Sequence, residues 1–155
     1  MLIAFYRNKA PDSEGRMLDE ILSWDNSKLE SVHDFIQWLF PLKEPSSANP
    51  DAPILSEVEI ATMKEDPLTQ KNLIRSFERM MEFYGFGEIS SKKHWLTPHN
   101  HNFLRITRIL KSLCILGQKE KAKSFFQWLK ELYHAGNENT IGPVTFQYWN
   151  KVFND

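Results

Sequence analysis

The placement of helix breakers constrains this chain most. Pro41, Pro45, Pro50, Pro53, Pro67, Pro98 and Pro143, with Gly85, Gly87, Gly117, Gly136 and Gly142, cut its 155 residues into stretches where apolar side chains recur three and four apart. Proline removes a backbone donor and clashes with the preceding turn, and glycine weakens a helix interior, so such residues mark helix ends. A recurrence of three and four is one face of a helix. The expected fold class is all-α, a single compact orthogonal or antiparallel bundle of about six to seven helices spanning residues 1–155.

The segments follow from the breakers. After the turn residues Pro11, Asp12, Ser13 and Gly15, a short helix is expected over Arg16 to Trp24, with Met17, Ile21, Leu22 and Trp24 at helical spacing. Ser27 with Glu30 reads as a capping box opening a helix over Lys28 to Phe40, which Pro41 stops. The four prolines of residues 41–55 exclude helix there and leave an ordered surface loop pinned by Leu42, Ile54 and Leu55. Ser56 with Glu59 caps a helix over Glu57 to Lys64. Asp66 and Pro67 start a fourth, ending near Gly85, with Leu73, Phe77, Met80, Met81 and Tyr84 inward and Arg75, Glu78, Arg79 and Glu82 left for solvent and mutual pairing. Thr97 and Pro98 mark the start of the central helix, carrying Phe103, Ile106, Ile109, Leu110, Leu113, Cys114 and Leu116. Gly117 separates it from an amphipathic partner with Ala122, Phe125, Phe126, Leu129, Leu132 and Tyr133. Gly142 and Pro143 introduce a short closing helix bearing Phe146, Trp149 and Phe153.

Hydrophobic residues at 41% are enough for a core without metal or disulfide, and an aromatic share of 13% points to rings at the helix contacts. Cys114 is the only cysteine, so no internal disulfide can form and an oxidising compartment gains no support; a cytoplasmic setting is expected. The first residues are too short an apolar run for a secretory signal, and no stretch is long and apolar enough to predict a transmembrane segment. The net charge of −1 hides an imbalance: residues 1–91 carry 9 basic and 16 acidic side chains, residues 92–155 carry 10 and 4. Acidic and basic helices packed side by side explain this more simply than a nucleic-acid footprint.

Two segments carry a resemblance. Residues 29–41, LESVHDFIQWLFP, and 101–113, HNFLRITRILKSL, resemble two signatures of the opioid growth factor receptor conserved region, with Phe5-Tyr6, Asn49-Pro50 and Phe83-Tyr84-Gly85 in matching order around them. The resemblance implies an all-helical domain. It also implies kinship with animal proteins described as receptors for an opioid growth-inhibiting peptide, associated with the nuclear envelope and unrelated to seven-helix opioid receptors. The long polar tail and repeats of those proteins are not seen, and a short stand-alone member is expected.

At about 100° per residue, His101, Arg105, Arg108 and Ser112 fall on one stripe of an otherwise apolar helix, and His33 and Gln37 lie beside Glu30 and Asp34 on the helix expected over Lys28 to Phe40. The expectation drawn from these stripes is a non-enzymatic module. It accepts a peptide or small anionic ligand in a groove between helices 28–40 and 99–116, lined by His33, Gln37, Trp38, His101, Arg105 and Arg108, with no catalytic residue, metal or cofactor. Paired guanidinium forks suit phosphate or carboxylate. The plain structural alternative has Arg105 or Arg108 paired with Glu30 or Asp34 to fix helix register. An enzyme acting on a phosphorylated or nucleotide-like substrate would use His33 or His101 as general acid or base, although no phosphate loop or serine elbow is present. Lys92 and Lys93 ahead of Trp95, with Lys119, Lys123 and Lys130, would form the basic face and exposed ring of a nucleic-acid surface. A metal held by His99, His101 and His33 or His94 is disfavoured, because residues two apart on a helix diverge by about 200°; capping suits His99 better. Cys114, among apolar neighbours, reads as a packing residue.

Overall fold

The computed structural model describes residues 2–154, and within them ten helices and no strand are found. They are α1 Leu2–Tyr6, α2 Leu18–Leu22, α3 Asn26–Ser31, α4 Ile36–Leu39, α5 Glu57–Glu65, α6 Pro67–Tyr84, α7 Asn102–Ile115, α8 Lys119–His134, α9 Glu138–Ile141 and α10 Pro143–Lys151. The all-α class is as the periodicity requires. The count exceeds six or seven because several single-turn helices interrupt what sequence reads as loop or longer helix. The chain divides into two compact units, residues 1–80 and 81–155, a division that periodicity does not reveal. The first carries 9 basic and 14 acidic residues and the second 10 and 6.

In the first unit α1, absent from the sequence expectation, buries Leu2, Phe5 and Tyr6 and packs on α5. Phe5 meets the Trp38 ring edge-on at 5.2 Å. Burial pushes the Tyr6 phenol well above its usual value, so it stays neutral and packs as a ring. Asn72 donates to the Tyr6 carbonyl at 2.7 Å, tying α6 to the end of α1. The expected start of α5 is present in full: Ser56 accepts from the Glu59 amide, and Glu59 accepts from the Ser56 amide. In the 41–55 loop the Leu55 amide donates to the Leu42 carbonyl at 2.8 Å. Leu42 and Leu55 are buried while Ile54 is exposed, so two of the three expected anchors hold it.

Asp66 caps α6 by accepting from the Thr69 amide and hydroxyl, and it takes a two-pronged bond from Arg7, both prongs at 2.9 Å. Leu73, Phe77, Met80, Met81 and Tyr84 on α6 are all buried, as the stripe predicts. Arg75 bonds Asn72 along the helix at 2.9 Å, and both arginines also reach beyond it. Arg75 reaches Asp19 at 2.9 Å, and Arg79 donates to the Trp24 carbonyl at 2.8 Å and to Asn26 at 2.9 Å.

In the second unit α7 and α8 pack along each other across the tight Leu116–Gln118 connection, and α10 closes over both. Phe103, Ile106, Ile109, Leu110, Leu113 and Leu116 meet Ala122, Phe125, Leu129 and Leu132 in the buried interior. Tyr133 stacks on Phe146 at 4.3 Å, and Phe126 lies 5.2 Å from Phe153. Trp149, fully buried, donates its indole N–H to the Phe103 carbonyl at 3.3 Å. No described helix is long and apolar enough to cross a membrane.

The Arg7 fork, followed by the Thr69 bond, holds the Asp66 carboxyl well below the usual carboxylate range. Its contribution to stability is therefore complete above the unfolded carboxyl value near 3.8 and is lost as pH falls through the lower folded value. Thermal unfolding should show Asp66→Asn melting below the parent at pH 7, with the gap narrowing steadily below pH about 4.

Candidate functional site

The residues expected to touch a ligand fall into two sets: His33, Gln37 and Trp38 in the first unit, His101, Arg105 and Arg108 in the second. The first set does not sit on one continuous helix. The run from Lys28 to Phe40 breaks between α3 and α4, with Val32 extended at φ −92° and ψ 126°. The cause is Arg16. Its guanidinium donates to the Asp34 carboxylate at 2.8 Å and to the Asp34 carbonyl at 3.3 Å. In a continuous helix that carbonyl would accept from the Trp38 amide; instead the Trp38 amide turns to the Phe35 carbonyl at 2.9 Å, which also takes the ordinary helical bond from the Leu39 amide at 3.2 Å. Arg16 is fixed in turn by the buried Asp12, which accepts from its Nε at 2.8 Å and from the amides of Glu14 and Arg16. The Arg16 cation also lies 5.5 Å from the Trp24 ring, whose ring is approached by Lys28 at 4.6 Å. The cap of α3 shifts accordingly: Asp25, not Ser27, accepts from the Lys28 amide.

The break undoes the first stripe. His33 is exposed at the interruption, whereas Gln37 and Trp38 on α4 are buried. Asp34, one of the two expected partners of the central arginines, serves Arg16. The Gln37 amide nitrogen makes only a long 3.5 Å contact to the His33 carbonyl. The Gln37 Oε1 and the Trp38 indole Nε1 are buried with no hydrogen-bond partner among the described residues. Leaving such groups unpaired costs about 1–3 kcal/mol each, so their persistence calls for a reason beyond packing.

The second stripe survives. His101 is exposed at the entry of α7, Arg105 is only 5% exposed, Arg108 is half-buried and Ser112 is buried, one above another along the helix. Neither guanidinium is without a partner. The helix begins at Asn102 rather than at Pro98: His99 takes a left-handed conformation, φ 59°, His101 stands at the N-cap without a side-chain cap bond, and the Asn100 side chain accepts from the Asn102 amide at 2.9 Å. The expected capping role is not taken by His99, because the N-cap residue is His101. No group of three His, Cys, Asp or Glu side chains gathers as a metal donor set among the described residues.

Two other sequence expectations are corrected. Trp95 is fully buried, its indole N–H donating to the Tyr84 carbonyl at 3.1 Å, so Lys92 and Lys93 do not flank an exposed ring. Cys114 is half-buried rather than enclosed, and burial still pushes its thiol up, away from the reactive thiolate.

Helices alone among the described residues define an all-α fold whose marked residues lie within two sequence signatures. The family model described as the opioid growth factor receptor conserved region matches residues 1–150. An opioid growth factor receptor-like protein 1 of Mus musculus is 36% identical over 158 residues, covering 92% of this chain and 33% of the relative. The opioid growth factor receptors of Rattus norvegicus and Homo sapiens are each 37% identical over 132 residues, covering 74% of this chain and 23% and 19% of the relatives. This chain belongs to the opioid growth factor receptor conserved-region family, and it spans about a third or less of the length of these relatives. No solved structure matches it.

Removing Arg16 strands the buried Asp12 carboxylate, a loss of about 3 kcal/mol by the usual cost of breaking such a pair. Chemical denaturation of Arg16→Ala should show that drop, and hydrogen exchange should show faster exchange at the Trp38 and Leu39 amides than in the parent.

Proposed function

We propose that this domain is a non-enzymatic binding module for a peptide or small anionic ligand. The observation that carries the reading is the pair of buried, unpartnered atoms on α4, the Gln37 Oε1 acceptor and the Trp38 Nε1 donor, on residues that the first family signature contains. One unpaired acceptor and one unpaired donor suit the amide groups of a peptide, which reaches them once the packing that covers α4 opens. His33, exposed beside them, offers a further contact in the first unit. The stripe of His101, Arg105 and Arg108 in the second unit is suited to a carboxylate or phosphate, because guanidinium forks bind such groups in two-pronged fashion. The names of the relatives, receptors for a growth factor, support a peptide as the ligand class. The nucleic-acid alternative loses its stacking ring with Trp95 enclosed, and no feature of either unit favours catalysis over binding.

Calorimetric titration of the whole chain with short peptides, and separately with inorganic phosphate, tests this. Gln37→Leu removes an unsatisfied buried polar atom and should leave stability unchanged or raise it by about 1 kcal/mol, while peptide binding is lost. Arg105→Lys should keep the fold but weaken binding of acidic ligands, since lysine lacks the planar fork. Unaltered peptide binding by Gln37→Leu, or no binding by the parent to either probe, would overturn the reading.

A further inference from the structure

A second place with unused chemistry lies in the second unit, at the C-terminal end of α6, and does not depend on the binding proposal. The helix finishes at a left-handed Gly85, φ 71°, with the Gly85 amide donating to the Glu82 carbonyl and the Phe86 amide to the Met81 carbonyl. Two side chains from the following loop then serve the last carbonyls. Trp95 donates to that of Tyr84, and the Lys93 ammonium donates to that of Gly85 at 3.0 Å. Lys93 comes so close that a Cβ at residue 85 would stand 2.6 Å from its Nζ. The same ammonium lies 5.2 Å from the centre of the Trp128 ring on α8.

Lys93 also lines an open cleft of about 290 Å³ together with Glu82, Glu88, Ser90, Lys92 and His94. A reagent can therefore reach it from solvent. Its hydrogen-bond acceptor is a carbonyl and its other neighbour a ring; no carboxylate forms an ion pair with it among the described residues. Partial burial lowers the amine from the ordinary lysine value, with Glu88 opposing that shift through its charge. Such an amine carries a larger nucleophilic fraction near neutral pH than a solvated one.

We propose that Lys93 is a modification site that accepts an acyl group from an activated donor of the thioester or acyl-phosphate class, and that acylation releases the end of α6. The ammonium first gives a proton to water. The nitrogen lone pair then attacks the acyl carbon, a C–N bond forms, and the bond from that carbon to sulfur or to phosphate oxygen breaks. The thiolate or phosphate leaves with the electron pair, and the second proton on nitrogen passes to water. The resulting amide is neutral, so the charge-assisted bond to Gly85 and the attraction of Trp128 are both lost.

Acetyl phosphate on the intact folded chain, followed by mass spectrometry of each lysine at low total modification between pH 7 and 9, tests the first half. Lys93 should react several-fold faster than the neighbouring exposed Lys92, and its rate should begin to rise at lower pH. Equal or slower reaction of Lys93 across that range would overturn the proposal, because the Gly85 carbonyl would then be protecting the ammonium. Hydrogen exchange tests the second half. Lys93→Gln should speed exchange at Gly85 and Phe86 while Lys93→Arg preserves protection, and equal protection in both variants would overturn the release of the helix end.

Discussion

The first unit turns on Arg16. Its guanidinium joins a loop carboxylate, Asp12, to the side chain and backbone of Asp34, and so ties the connection between α3 and α4 to the loop ahead of α2. A buried carboxylate is tolerable only when paired and hydrogen-bonded, and Asp12 receives two backbone amides besides the cation. The carbonyl that Arg16 occupies is the one a continuing helix would need. Around that tether lie the break at Val32, the exposed His33 and the buried Gln37 and Trp38.

The second unit solves a different problem, that of ending a long helix near a set of rings. The last carbonyls of α6 are taken by an indole N–H and an ammonium instead of water, and Tyr84, Trp95, Phe125 and Trp128 contact one another around them. Large rings with a polar edge suit such a place, because they fill volume and supply a donor at once. Trp128 keeps its own indole N–H buried without a partner, so its burial is held by ring contacts and by Lys93 over its face.

The two signatures fared differently for the same reason that helices are cooperative only along their own axis. The stripe of His101, Arg105, Arg108 and Ser112 needed nothing beyond α7 to stay aligned, and it stays aligned. The stripe through His33 and Gln37 assumed that no outside group would compete for the backbone between them. Arg16 competes, and a partner 18 residues upstream leaves no trace in local periodicity. The entry to α7 shows the same limit on a smaller scale. Pro98 follows Thr97 in the pattern of a helix start, but His99 turns left-handed and the helix starts only at Asn102, whose amide the Asn100 side chain receives.

What the sequence determined by itself was the all-α class, the Ser56–Glu59 cap, the start of α6 at Pro67, the buried faces of α6, α7 and α8, and membership of the family through two long motifs. Those features depend on residues near one another along the chain, where 3.6-residue periodicity and capping chemistry act directly. The tertiary structure decided the break at Val32, the enclosure of Trp95, the reach of Arg75 and Arg79 to the α2–α3 region, and the seat of Lys93 on Gly85. Each is a choice between local and distant partners for one polar group. That choice is settled by which partner lies within hydrogen-bond reach once the chain has folded.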